Sequence, residues 1–188
     1  MEISKEDKTL LLDLARNSIE SEFNKEDVDE FLKKKVQKFS LKQGAFVTLH
    51  KNKELRGCIG HTLPIAPLWQ AIRDNARLAA FNDPRFSPLK RDEIPFITLE
   101  ISVLTPLEKL KCEPEKYVKK IMIGKHGLFI EGPNYYSGIL LPQVFTEWDA
   151  TPLKALQMTC QKASLNVNAW KDSSSTSVYT FEAIVFGE

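Results

Sequence analysis

The sequence predicts an α+β fold, and three observations predict it. Helical and strand periodicities both occur, each over well-bounded stretches. The strands come in hairpins instead of strictly alternating with helices, which argues against a parallel α/β sheet. The chain has 188 residues, 43% apolar and 27% charged, enough to bury a core in one domain or in a domain with two lobes.

The elements follow in order. Ser4, with Asp7 three residues later, reads as a capping box. Leu11, Leu14, Ala15, Ile19 and Phe23 then recur at helical spacing, so residues 5–23 form an amphipathic helix. A second helix is expected near 26–38, with Val28, Phe31, Leu32 and Lys35 on one side and Lys33, Lys34 and Lys38 adding a basic, solvated face. Ala45 to His50 alternates as a strand, Lys51 to Glu54 is a polar turn, and Leu55 to Ile59 returns as the hairpin partner. Pro67 is expected at the first position of a helix carrying Leu68, Ala71, Ile72, Asn75, Ala76 and Ala79 on one stripe. Asn82-Asp83-Pro84 stops it, because proline disfavours helix in the residue before it. Ile97, Leu99, Ile101 and Val103 mark a half-buried strand.

After Thr105-Pro106 come three short strand candidates, Ile121–Ile123, Leu128–Glu131 and Ser137–Leu141, split by glycine-rich turns. Thr151 and Pro152 begin another helix, with Leu153, Leu156, Cys160 and Ala163 on one face. Val178 to Phe186 is a final strand. This order allows a discontinuous large lobe, residues 1–104 plus 173–188, and a smaller inserted lobe, residues 105–172.

Charge and cysteine content exclude some function classes. Lys and Arg number 26 against 25 acidic residues, so a general phosphate-neutralising surface is not expected, although a local patch for nucleic acid is not excluded. The start of the chain lacks a basic, apolar leader, and no apolar run reaches membrane-spanning length, so no membrane association is expected. Three widely spaced cysteines, Cys58, Cys112 and Cys160, argue against a disulfide framework and for a reducing, cytoplasmic setting. Cys58-x-x-His61 offers two ligands and no second close pair completes a tetrahedral set, so no metal is expected. No phosphate loop or nucleophile elbow is present, and no cofactor can be named.

The functional centre is expected in the hexapeptide Leu55-Arg56-Gly57-Cys58-Ile59-Gly60. Strand alternation would turn Leu55, Gly57 and Ile59 to the core and place Arg56 and Cys58 together on the other face. Arg56 could then bind an anionic group or favour the thiolate. Gly57 and Gly60 leave room for a ligand or for another backbone. The alternative is structural, since free cysteine is commonly a small buried hydrophobe. Cys160, on an apolar helix face, is read that way.

The string Leu-Arg-Gly-Cys-Ile-Gly is rare. With Gly44-Ala45-Phe46-Val47-Thr48-Leu49, Asp83-Pro84-Arg85-Phe86, Ile101-Ser102-Val103-Leu104, Gly124-Lys125-His126-Gly127-Leu128 and Leu140-Leu141-Pro142-Gln143-Val144, the chain resembles the AMME chromosomal-region protein domain family, protein A of the AmmeMemoRadiSam system. That family usually reads Lys-Ala-Gly-Leu where this chain has Lys162-Ala163-Ser164-Leu165. The resemblance implies two subdomains, each an antiparallel sheet with helices, and a cleft between them towards which the hexapeptide points. It also implies association with Memo-type and radical S-adenosylmethionine proteins as partners, but no reaction.

Further candidates follow from placement. Asp83 and Arg85 flank a proline after a helix and either shape the turn or add charge to the site. His126, or His61, could serve as a base near Cys58. Gln143 and Trp148 could bind substrate from the inserted lobe. The expected function is an enzyme or enzyme-accessory protein acting through Arg56 and Cys58 on an anionic or carbonyl-type substrate, with Asp83 and His126 assisting. The competing expectation is a non-catalytic module that grips a protein or nucleic-acid segment.

Overall fold

A computed structural model describes residues 3–25 and 30–188, except the side chains of Glu30, Phe31 and Lys33. The expected start of the second helix, with Val28, lies outside the described residues, as does the expected packing of Phe31. The fold is α+β, and its chain contacts divide it into two compact units, residues 1–104 with 184–188 and residues 105–183.

The first unit begins with α1, Lys5–Asn24, whose Ser4 cap accepts a hydrogen bond from the Asp7 N–H. Its buried face carries Leu11, Leu14, Ala15 and Ile19. α2 spans Glu30–Val36. Strands β1, Ala45–Lys51, and β2, Glu54–His61, form an antiparallel hairpin. Asn52 and Lys53, both at positive φ, close it as a two-residue turn whose twist suits a hairpin. α3, Leu68–Phe81, buries Leu68, Ala71, Ile72, Asn75, Ala76, Ala79 and Ala80. Pro67 caps α3 from outside with extended ψ, one residue earlier than its expected place as first helical residue. β3, Ile97–Leu104, pairs with the other side of β1. Val47, Leu49, Leu99 and Ile101 share one face of this sheet and are fully buried in one core with α1 and α3. Asn75 ties α3 to the sheet by donating from Nδ2 to the Ala45 carbonyl.

The second unit contains β4, Glu108–Lys109; α4, Tyr117–Lys120; β5, His126–Glu131; β6, Ser137–Leu140; α5, Pro142–Glu147; and α6, Pro152–Lys162. The last strand, β7, Ser177–Gly187, pairs with β5 and β4 through its first part, and its final residues belong to the first unit. Leu128, Ile130, Phe145, Leu156, Cys160, Trp170 and Val178 make this unit's core. Among the described residues no helix is long and apolar enough to cross a membrane.

Two expectations fail locally. Ile121–Ile123 is not a strand. Ile121 instead closes α4 by donating to the Tyr117 carbonyl, and the Met122 carbonyl accepts from both Lys125 and His126 in a tight turn through Gly124 at positive φ. Leu153 does not join the buried face of α6 but stays 45% exposed in its first turn. Ser164, just after α6, adopts φ 59°, the left-handed conformation that glycine takes without strain. A glycine would meet that requirement without strain.

Candidate functional site

The site lies in the first unit, on the edge strand β2. The hairpin register pairs Val47 with Ile59, Thr48 with Cys58 and Leu49 with Gly57, then jumps to His50 with Leu55. Arg56 is therefore the extra residue of a β-bulge. The bulge reverses alternation for what precedes it. Ile59 and Gly57 face the core as expected, but Leu55 falls on the face of His50 and is 42% exposed, so it is no anchor. Gly57 is needed for packing: a Cβ there would stand 2.1 Å from the Ala79 carbonyl oxygen of α3. The room is filled by another backbone. At Gly60 the corresponding space holds the Phe46 ring.

Cys58 sits on the face away from the core, half-buried. The Thr48 hydroxyl contacts its Sγ at 3.2 Å. Its backbone groups point outward from the sheet edge and meet the turn after α3. The Cys58 N–H donates to Asp83 Oδ2 at 2.9 Å, and its carbonyl accepts from Arg85 Nη2 at 3.2 Å. Asp83 and Arg85 thus cover edge groups that would otherwise lack partners. Asp83 also accepts from the Arg85 N–H and from the guanidinium Nε and Nη2 at 3.0, 3.0 and 2.7 Å. The Arg85 bonds hold the buried Asp83 carboxyl far below the usual carboxylate range. Arg85 is held above its ordinary value by the bond to Asp83, burial opposing and the Cys58 side chain adding in the same direction. Its side chain remains 53% exposed.

Arg56 is differently placed. Its Nε and Nη2 donate to the two oxygens of Glu93 at 3.1 and 3.0 Å, a two-pronged pair with both side chains near one-eighth exposed, 13% and 14%. Lys51 and the Lys90 N–H bond the same carboxylate. Glu93 is accordingly lowered to about 2, first by Arg56, with burial opposing and Lys90 and Lys51 adding. The remaining nitrogen, Nη1, is buried and has no partner. The Phe86 ring lies 6.0 Å from the Arg56 guanidinium carbon and 5.5 Å from that of Arg85, so the two cations flank one aromatic ring.

The structure therefore brings Arg56, Cys58, Asp83 and Arg85 into one cluster. His61 lies at the exposed end of β2. His126, Gln143 and Trp148 belong to the second unit. His126 opens β5, and its Nδ1 accepts from the Met122 N–H; Gln143 is half-buried in α5; Trp148 is 73% exposed rather than core. Sequence reasoning missed Glu93, Thr48 and Phe86 as site residues. The signal for Thr48 was present. Val47 and Leu49 must face the core, and pairing them with Ile59 and Gly57 sets Thr48 opposite Cys58. Nothing local announced Glu93, which is 37 residues from Arg56.

Comparison with known proteins places the whole chain. The AMMECR1 family model matches residues 12–186. A protein of Nanoarchaeum equitans is 46% identical over 157 residues, 81% of this chain and 84% of its own length. One of Aquifex aeolicus is 43% identical over 182 residues, 95% of this chain and 91% of its own. The crystal structure of an uncharacterized protein from Pyrococcus horikoshii superposes with a TM-score of 0.88 at 39% identity, covering 100% of this chain and 94% of that one. The chain belongs to the AMMECR1 family.

Proposed function

We propose that this protein is an enzyme, or the accessory subunit of one, that uses the Cys58 thiol on an anionic or carbonyl-type substrate. The observation that carries the reading is the company of the sulfur: a hydroxyl at 3.2 Å and a half-exposed guanidinium tied to the same residue's carbonyl. A hydroxyl in contact with sulfur can donate to negative charge that develops there, and an adjacent cation can meet the charge of an anionic substrate. Both arginines hold a carboxylate with two nitrogens, and Arg85 is the better candidate to meet a substrate's negative charge because its side chain is 53% exposed against 13% for Arg56. Arg56 supports this reading as a fixed positive charge that stacks on Phe86 and anchors the bulge beside Cys58.

The test is site-resolved alkylation of the native protein with iodoacetamide, read by peptide mass mapping. Cys58 is expected to react at least about tenfold faster than half-buried Cys112. Arg85→Gln should slow Cys58 without slowing Cys112. Equal rates at the two thiols, or no effect of the Arg85 change, would remove the reading.

A further inference from the structure

The chain has three histidines, and the strand register decides which of them shares a face with Cys58. On β1, Ala45, Val47 and Leu49 turn to the core and are fully buried, so Phe46, Thr48 and His50 project to the opposite face, each half-buried. Opposed residues of an antiparallel pair project to one side. Phe46 stands opposite Gly60, Thr48 opposite Cys58, and His50 opposite Leu55. Two contacts bear this out: the Phe46 ring lies where a Gly60 side chain would stand, and the Thr48 hydroxyl meets the Cys58 sulfur at 3.2 Å. His61 falls out by the same rule. It is opposite Ala45 and three residues from Cys58, so it projects to the other side of the sheet. His126 belongs to the second unit.

His50 is thus the diagonal neighbour of Cys58. The bulge at Arg56 lies on β2, so β1 keeps its even spacing and His50 stands two residues, about 7 Å, along from Thr48. Diagonal Cα atoms across such a pair are about 7–8 Å apart, within reach of an aromatic side chain. A molecule bonded at the Cys58 sulfur would fill the interval. Glu100 is on the same face but opposite Thr48 on β3, with β1 between it and Cys58. Arg85 stands on the other side of Cys58, beyond the edge of β2. The sulfur therefore lies between a cation outside the sheet and an imidazole on it, with Phe46 and Leu55 as apolar neighbours.

We infer that His50 is the acid–base residue of the Cys58 site and that the substrate is an ester or thioester, whose leaving group His50 protonates. This rests on the reading of Cys58 as a nucleophile. Histidine is the side chain that gives and takes a proton near neutral pH. His50 acts on the substrate and not on the thiol, so no bond between His50 and sulfur is required. In the first step the thiolate form of Cys58 attacks the acyl carbon. An S–C bond forms, and the bond from that carbon to the leaving oxygen or sulfur breaks with its electron pair on the departing atom. That atom takes the His50 proton and leaves as a neutral alcohol or thiol. In the second step water attacks the acyl carbon and neutral His50 takes a proton from it. The C–S bond breaks with its pair on sulfur, the carboxylic acid departs, and thiolate and imidazolium are restored. Arg85 is left to hold the substrate's negative charge.

Two esters with the same acyl group separate an acid from a structural residue. Para-nitrophenolate is a better leaving group than a thiolate and departs unaided, whereas phenolate is worse and is expelled with the help of a proton. Acetylation of Cys58 in the full chain is followed with para-nitrophenyl acetate and with phenyl acetate, and alkylation with iodoacetamide, all read by peptide mass mapping. His50→Gln should slow acetylation by phenyl acetate about 100-fold and leave the other two rates within about twofold. His61→Gln, on the other side of the sheet, should leave all three unchanged. Equal losses with both esters in His50→Gln would make His50 structural and overturn the inference. So would an undiminished phenyl acetate rate, an equal loss in His61→Gln, or a wild type that phenyl acetate does not acetylate at Cys58. Failure of the underlying reading looks different, because there the wild-type Cys58 reacts with iodoacetamide no faster than Cys112.

Discussion

Cys58 and Cys160 carry the same side chain in two regions built on different principles. Around Cys58, on the edge of the first unit's sheet, the neighbours are Thr48, Asp83 and Arg85, and the Arg56–Glu93 pair stands beside them. The region is held by charge. Around Cys160, on α6 of the second unit, exposure is zero and the neighbours are core residues such as Leu156 and Trp170. Burial pushes that thiol up, with the Trp170 and Ala169 backbone only partly opposing. The region is held by packing. Cysteine tolerates both because it is small and only weakly polar. What separates a candidate nucleophile from a core residue is the set of groups brought in from other parts of the chain.

Breaking the charge should break the first region and spare the second. The largest effect is expected from Glu93→Gln. It leaves Arg56 and Lys51 without their shared carboxylate, and Arg56 is nearly buried with one nitrogen already unsatisfied. A loss of about 3 kcal/mol is expected by urea unfolding, the lower end for a buried pair stripped of one partner. Hydrogen exchange should rise around β2 and the turn before β3 while α6 keeps its protection.

Acid should make the same distinction more gently. Glu93 titrates at about 2 in the folded chain against an ordinary 4.5, and Asp83 is also depressed. Carboxylates held below their unfolded values contribute stability that is fully present above those values and is lost as pH falls through the folded ones. Stability should therefore decline as pH drops from roughly 4.5 toward 2. In Glu93→Gln that decline should be shallower. A wild-type curve no steeper than that of the variant would contradict the assigned pair.

The smallest effect tests the packed region. Ser164 holds a left-handed φ of 59° at the end of α6, where a side chain is strained. Ser164→Gly should raise stability by about 1 kcal/mol and leave Cys58 alkylation unchanged. Destabilisation by this change would mean that the Ser164 side chain contributes something the backbone does not reveal.

Much of this was legible in advance where the signal is local. The α1 stripe from Leu11 to Ile19, its Ser4 cap and the α3 stripe around Ala76 were found at their places because helical spacing is a short-range property. The hairpin was found as well, since its turn needs two residues at positive φ and the flanking alternation is plain. Leu55 was misplaced because alternation is a counting rule and one bulged residue, Arg56, resets the count. Ile121–Ile123 misled because three apolar residues do not distinguish a strand from the end of a helix.

The sequence by itself determined the α+β class, most element positions, the family resemblance and the hexapeptide as the place to look. Each of these depends on residues close together in the chain or on a rare string. Only the tertiary structure decided which groups the hexapeptide meets. Glu93 and Asp83 reach it across 37 and 25 residues, and Gly57 serves the close approach of α3. Contacts between distant segments are set by packing and by the pairing of backbone groups at a sheet edge, and neither leaves a local mark on the residues involved.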